Sequence, residues 1–204
     1  MKLSFVSEAV GGIRTRIFLL FAGTLWTGLL VLGFSILARE EFTPVATTLQ
    51  PPSFPAQSAL QLAPDKPTLL LFAHPLCPCT RASLHELDDL LAQVPDKVSV
   101  MIVFTIPDGL PSGWEKGDLY QAAKAIPGAR VVLDQAGREA RRFGVTGSGH
   151  TLLYSSSGRL LFSGGITASR GHDGDNPGEA AIVSLVLHGH SLVTRTPVFG
   201  CSLL

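Results

Sequence analysis

Residues 68–81 read TLLLFAHPLCPCTR, and this stretch decides the fold. Its first six residues are a continuous apolar run, which is typical of a strand buried on both faces of a sheet. Residues 84–94 then carry leucine and valine at helical spacing, until Pro95 ends the predicted helix. The sequence therefore places Cys77 and Cys79 at the junction between a buried strand and a helix.

The order Cys77-Pro78-Cys79 suits the start of a helix. With Cys77 as the N-cap, Pro78 takes the first helical position, where its missing N–H costs nothing. Unpaired N–H groups and the positive end of the helix dipole then stabilise a thiolate, and Arg81 adds a cation one turn later. A thiol of low pKa is a nucleophile or a metal ligand, whereas most free cysteines are small buried hydrophobes.

Beyond this junction, strand and helix patterns alternate. Strands are predicted at residues 98–104, 130–133, 151–155 and 159–163, and helices at residues 115–125, 137–143 and 178–190. The order is βαβαβα followed by ββα, which predicts an α/β domain with a mixed sheet flanked by helices over residues 68–192.

The composition excludes several classes of protein. Of 204 residues, 46% are hydrophobic and only 16% are charged, so the chain is not intrinsically disordered. Lys plus Arg (16) equals Asp plus Glu (16), which leaves no net charge to favour nucleic acid. Three cysteines are too few for a disulfide-stapled scaffold.

Part of the apolar sequence lies in residues 17–38, a run without charged residues. At about 1.5 Å per residue a helix of this length spans roughly 33 Å, enough to cross a bilayer. The apolar region of a cleaved signal peptide is usually shorter and ends in small residues, so we predict a retained transmembrane anchor. Basic residues precede the run and acidic ones follow, which predicts a cytoplasmic N-terminus (residues 1–16) and a periplasmic or extracytoplasmic domain.

Two further segments flank the domain. Residues 39–67 contain six prolines, and we expect a semi-rigid linker in polyproline-like conformations. Residues 193–204 form a C-terminal tail with Cys201. In an oxidising compartment a third cysteine invites pairing, so Cys201 is a candidate resolving thiol or third sulfur ligand, with an unpaired tail thiol as the alternative.

Residues 66–192 resemble the thioredoxin superfamily. The Cys-Pro-Cys segment at the start of a helix matches the place where that family carries its redox cysteines. Residues 130–145 (RVVLDQAGREARRFGV) are similar to an insertion in the redoxin branch, which includes membrane-tethered periplasmic thioredoxins. Residues 151–164 (TLLYSSSGRLLFSG) are similar to the hairpin that follows the family's cis-proline.

This resemblance implies thiol–disulfide exchange with protein thiols or disulfides and requires no cofactor. Cys77 would be the attacking thiolate, Cys79 or Cys201 would resolve the mixed disulfide, and His150 would position the incoming disulfide or tune the thiolate. The sequence departs from the family in having one residue between the cysteines instead of two, and His150 where the cis-proline is expected. No Thr or Ser lies three residues before either cysteine, which disfavours a peroxidase.

His150 also permits a second hypothesis. In the copper-delivering Sco proteins, which share the thioredoxin fold, a histidine at the corresponding place faces a cysteine pair. That resemblance implies a metallochaperone that holds copper through Cys77, Cys79 and His150, a ligand set that suits Cu(I) or Cu(II). A third hypothesis is a thioredoxin-fold interaction module without turnover, because a fold alone proves no activity.

The thioredoxin topology also predicts the place of residues 164–176. This loop joins the hairpin to the last helix and should overhang the cysteines. Its charged residues are candidates for contact with a partner or a metal: Arg170, His172, Asp173 and Asp175.

Overall fold

The computed structural model describes residues 3–111 and 113–203, with side chains from residue 12 onward. The chain divides into two units, Met1–Glu41 and Phe42–Leu204. The first unit is formed by helix α1 (Leu3–Phe42). Within α1, Gly12–Phe42 is long and apolar enough to cross a membrane, with a mean hydropathy of 2.1 and none of its most apolar stretch buried. The predicted anchor, residues 17–38, lies inside this span.

The second unit is built on a five-stranded mixed sheet. Its elements are β1 (Thr68–Ala73), α2 (Cys79–Gln93), β2 (Ser99–Ile106), α3 (Asp118–Ala125), β3 (Ala129–Gln135), α4 (Arg138–Arg142), β4 (His150–Tyr154), β5 (Leu160–Gly165) and α5 (Pro177–His188). The strand order is β3-β2-β1-β4-β5, with β1, β2 and β3 parallel and β4 and β5 antiparallel to their neighbours. This confirms the predicted mixed sheet, and each predicted strand and helix is present with ends shifted by at most three residues.

Strand β1 lies at the centre of the sheet, and all six of its residues are buried. Alternate side chains feed two separate cores, because successive residues of a strand point to opposite faces. Leu69 and Leu71 pack in the core that α2, α3 and α5 cover, whereas Leu70 and Phe72 pack on the α4 side. Burial on both faces explains why the sequence of β1 shows no alternation with polar residues.

The proline-rich segment predicted as a linker packs instead against the domain. Val45 N–H donates to Val198 O, and Phe54 N–H donates to Gly158 O, each at 2.8 Å. Leu60 is only 4% exposed and belongs to the core on the α4 side. A proline-rich segment can still cover an open sheet face wherever its apolar side chains reach the core. We call this segment, residues 43–66, the strap.

This packing predicts that Leu60→Ala destabilises the domain, whereas Leu49→Ala does not. Leu60 fills the core, so its truncation should lower the free energy of unfolding by about 2–4 kcal/mol. Leu49, in the same segment, is 82% exposed and serves as the matched control. Urea unfolding of the full chain in detergent measures both, and equal stabilities would show that the segment is a free linker.

Candidate active site: three thiols at the start of α2

The two cysteines of the Cys-Pro-Cys segment lie at the N-terminus of α2, but the helix begins one residue later than predicted. Pro78 is at the N-cap with helical φ and ψ of −56° and −33°, and Cys79 is the first helical residue. The first turn is closed by Thr80 N–H donating to Cys77 O at 3.0 Å, three residues apart. The regular i→i+4 bonding therefore starts after Cys77 instead of at it.

The C-terminal tail brings the third cysteine to the same place. Cys201 Sγ lies 2.6 Å from Cys77 Sγ, although 124 positions separate the two residues in sequence. The sulfur atoms of Cys77, Cys79 and Cys201 all lie within 4.8 Å of one another. Among the residues that the structure describes, no other group of three or more His, Cys, Asp or Glu side chains is as tightly gathered.

Backbone contacts hold this tail in place. Ser148 N–H donates to Cys201 O, and Leu203 N–H donates to Thr146 O, each at 2.8 Å. Leu203 is buried in the core on the α4 side. A Cβ at Gly200 would lie 2.0 Å from Ser148 O, so only glycine permits this close approach.

Cys77 has the environment of a stabilised thiolate. Its side chain is only 2% exposed. Burial alone raises the pKa of a thiol, but the hydrogen bond from Cys201 Sγ and the backbone N–H groups of Cys201, Cys79 and Thr80 outweigh it. The pKa of Cys77 is therefore lowered from its ordinary value.

The other two thiols are half-buried and favour the protonated form. Burial, followed by the interaction with Cys77, raises the pKa of Cys201 to about 12 and also raises that of Cys79. The positive charge of Arg170 opposes both shifts. These shifts favour the thiolate on Cys77 over one on Cys79 or Cys201.

The cation at the site is Arg170 and not Arg81. The Arg81 guanidinium pairs with Asp118 on the exposed side of α2. Arg170 comes from the loop that the topology predicted to overhang the cysteines, and its guanidinium donates to Gly200 O in the tail. The sequence prediction placed a positive charge near the thiols, but it chose the wrong residue because Asp118 is distant in sequence.

The other charged residues of this loop do not join the thiols. His172 Nδ1 lies 3.0 Å from Arg170 O, within the loop itself. Asp173 Oδ2 lies 3.1 Å from His85 Nδ1 on α2, and Asp175 is exposed. These contacts fix the loop to α2.

His150 lies on the face of the sheet that α4 covers. It pairs with Phe72 across the β1–β4 ladder, and Phe72 packs in that core. His150 Nε2 lies 2.9 Å from Ser163 Oγ, which donates to Gln50 Oε1. Burial lowers the pKa of His150 to about 4, so the imidazole is neutral at pH 7. His150 is not a member of the thiol group.

A hydroxyl pair that sequence reasoning missed shapes the turn before the cysteines. Ser148 Oγ accepts a hydrogen bond from His74 N–H and lies 3.0 Å from Thr80 Oγ1. Thr80 Oγ1 in turn donates to His74 O at 3.0 Å. No local pattern predicts this pair, because Ser148 meets the turn only through the folded sheet.

Comparison with known proteins supports the fold. No family model and no curated protein matches the chain. Similar solved structures include an uncharacterized conserved protein from Geobacillus kaustophilus (19% identity, 80% of this chain and 94% of that chain, TM-score 0.58). A hypothetical protein from Sinorhizobium meliloti is also similar, with 18% identity over 79% of this chain and 94% of that chain and a TM-score of 0.57. The pneumococcal exposed lipoprotein thioredoxin from Streptococcus pneumoniae matches with a TM-score of 0.45, at 20% identity over 60% of this chain and 84% of that chain. The domain has the thioredoxin-like fold that the strand order defines.

The hydrogen bond between Cys201 and Cys77 predicts that the pKa of Cys77 depends on the side chain at position 201. In a Cys79→Ser background only Cys77 remains to titrate once Cys201 is replaced. Cys201→Ser keeps a donor to the Cys77 thiolate, whereas Cys201→Ala removes it. We expect a higher pKa for Cys77 with alanine, hence less thiolate at neutral pH, because a hydrogen bond to the charged form lowers a thiol pKa. Absorbance at 240 nm against pH measures both, and equal pKa values would contradict this assignment.

Proposed function

We propose that this protein is a membrane-anchored thiol–disulfide oxidoreductase in which Cys77 and Cys201 form the exchanging pair. The observation that carries the proposal is the 2.6 Å separation of their sulfur atoms at the N-terminus of α2. A disulfide bond is about 2.05 Å long, so a small rotation of the side chains suffices to close it. Cys79 is the third thiol of the site and lies within reach of both.

Cys201 suits this role better than Cys79. A disulfide between Cys77 and Cys79 would close a small ring that contains the rigid Pro78, and such a ring is strained. A disulfide between Cys77 and Cys201 has no such ring, since the tail approaches from the far end of the chain. The hydrogen bond between their sulfur atoms already orients the pair.

The exposure of the sulfur atoms suggests how exchange proceeds. Cys77 is buried, while Cys201 is half-buried, so a partner thiolate reaches the Cys201 sulfur of the oxidised pair first. Its attack forms a mixed disulfide on Cys201, breaks the Cys77–Cys201 bond and releases Cys77 as a thiolate. A second thiol of the partner, once deprotonated, attacks the partner sulfur of the mixed disulfide, which yields the oxidised partner and a Cys201 thiolate that takes up a proton. Two electrons pass from the partner to the pair.

The lowered pKa of Cys77 favours electron transfer from the partner to the cysteine pair. A low pKa makes Cys77 a good leaving group and stabilises the reduced form of the pair. The disulfide is therefore easily reduced and acts as an oxidant of partner thiols. A pocket of about 280 Å³ adjoins the Cys-Pro-Cys segment and could receive a partner side chain; it is lined by Pro75, Leu76, Pro78, Arg81, Asp118 and Leu119.

The length of α1 and the charges around it support a place of action outside the cytoplasm. Gly12–Phe42 fits a single-pass anchor. The basic residues before residues 17–38 and the acidic residues after it favour a cytoplasmic N-terminus. The thiols would then face the periplasm or the cell exterior, where structural disulfides form and persist.

The matched variants Cys201→Ser and Cys79→Ser test the pairing. The full chain in detergent is equilibrated with glutathione redox buffers, and its thiols are counted by alkylation and mass spectrometry. We expect Cys79→Ser to keep the wild-type equilibrium constant for disulfide formation. In Cys201→Ser this constant should fall at least about tenfold, since only the strained partner remains. The reverse ranking would assign the pair to Cys77 and Cys79 and contradict the proposal.

The same three thiols support a second candidate function, the binding of Cu(I). Thiolate sulfur is the soft ligand that Cu(I) prefers, and three such atoms lie together. The resemblance to Sco proteins implied His150 as the third ligand, but its Nε2 lies 2.9 Å from Ser163 Oγ. The ligand set that the structure supports is therefore Cys77, Cys79 and Cys201, and the chain would act as a metallochaperone.

Anaerobic Cu(I) titration against a competing chelator tests this second function. We expect one Cu(I) per chain, with affinity at least about tenfold lower in Cys201→Ser because a ligand is lost. His150→Gln should bind as the wild type does, because His150 is outside the thiol group. Absence of stoichiometric binding, or a loss confined to His150→Gln, would remove this candidate.

A further inference from the structure

We infer that Arg170 is a positioning residue that holds the C-terminal tail against the thiols and thereby selects Cys201 as the disulfide partner of Cys77. This inference rests on the proposed exchange between these two cysteines. Neither the strand-to-helix junction nor the Cys-Pro-Cys segment contains Arg170, which lies in the loop between β5 and α5.

The contacts of Arg170 join two segments that cross the site. Its guanidinium donates to Gly200 O, the carbonyl next to Cys201, and to Thr43 O at 3.2 Å. One planar side chain thus links the tail to the strap that follows α1, both within the second unit. The planar fork of arginine is suited to two such acceptors at once, and lysine is not.

Hydrogen bonds to two helices hold the loop that carries Arg170 in place. Glu86 of α2 is 2% exposed and accepts hydrogen bonds from Gly174 N–H and from Asn176 Nδ2, the latter at 2.8 Å. Asn176 also caps α5 by accepting from Glu179 N–H at 2.9 Å. The loop that carries Arg170 is therefore tied to both helices that pack on that face, so its guanidinium has a defined position relative to the start of α2.

The charge of Arg170 is directed to the thiols. The buried Nε of Arg170 has no hydrogen-bond partner among the residues that the structure describes. Its positive charge acts on Cys79 and Cys201, where it stabilises the thiolate against the cost of burial. The charge therefore lowers the cost of the Cys201 thiolate that is released when the mixed disulfide on Cys201 is resolved.

Loss of this contact should loosen the tail and leave the domain folded. The bonds from Ser148 N–H to Cys201 O and from Leu203 N–H to Thr146 O do not involve Arg170. With the tail less firmly held, Cys201 spends less time beside Cys77, and the Cys77 sulfur becomes more accessible to reagents. Disulfide formation between the two should weaken and the reaction of Cys77 with small reagents should accelerate.

The test uses Arg170→Gln and Arg170→Lys in the full chain in detergent. The readouts are the fraction of Cys77–Cys201 disulfide in a glutathione buffer, mapped by mass spectrometry, and the rate of Cys77 alkylation by iodoacetamide at a pH above the pKa of Cys77, where every variant carries the thiolate. We expect Arg170→Gln to lower the equilibrium constant for the disulfide, and raise the alkylation rate, at least about threefold. Arg170→Lys, which keeps the charge without the fork, should be intermediate. Arg159→Gln, an exposed arginine of the β4–β5 hairpin, should match the wild type.

A second variant guards against a folding defect in Arg170→Gln. Gly200→Ala leaves Arg170 intact but places a Cβ against Ser148 O, so it should lift the tail and reproduce both effects. Wild-type pairing and alkylation in both Arg170→Gln and Gly200→Ala would overturn the role of Arg170 while leaving the exchange itself intact. Failure of the wild type to form the Cys77–Cys201 disulfide in any buffer would instead overturn the proposed function, and this inference with it.

Discussion

The close approach of the C-terminal tail to the loop before β4 is the contact on which the candidate site depends. Ser148 presents its N–H to Cys201 O and its own carbonyl to Gly200, where no side chain fits. Without this contact the start of α2 would carry two cysteines on either side of a proline. With it, a third sulfur lies 2.6 Å from that of Cys77, where we propose that it is the partner for oxidation.

Much of the fold could be predicted from local sequence. The continuous apolar run of β1 and the helical spacing of α2 determine the strand-to-helix junction, and the turn residues around Gly158 mark the hairpin. The strap at residues 43–66 could not be predicted in this way. Its proline content predicted a semi-rigid linker, but whether such a segment is free or packed depends on a sheet face that is distant in sequence.

The candidate site, like the fold, could be predicted from local sequence only in part. The place of Cys77 and Cys79 follows from the junction, because a helix start is a local feature. Three features of the site depend on contacts between distant segments: the position of Cys201, the choice of Arg170 over Arg81 as the cation, and the attachment of His150 to Ser163. Because His150 contacts Ser163, the third ligand of a metal site here would be the sulfur of Cys201 and not the imidazole of His150. Proximity in the sequence could not have shown it, since β4 turns His150 towards the α4 side of the sheet.

The most direct test is a disulfide map of the wild-type chain, extracted from membranes, oxidised to equilibrium in a glutathione buffer and then alkylated to block the remaining thiols. Proteolysis separates the Cys201 peptide from the peptide that holds both Cys77 and Cys79, and fragmentation in the mass spectrometer shows which of these two is linked and which is alkylated. The account predicts a link between the peptide that contains Cys77 and the tail peptide that contains Cys201, with Cys79 left as the alkylated thiol. A link between Cys77 and Cys79, with Cys201 free, would contradict it.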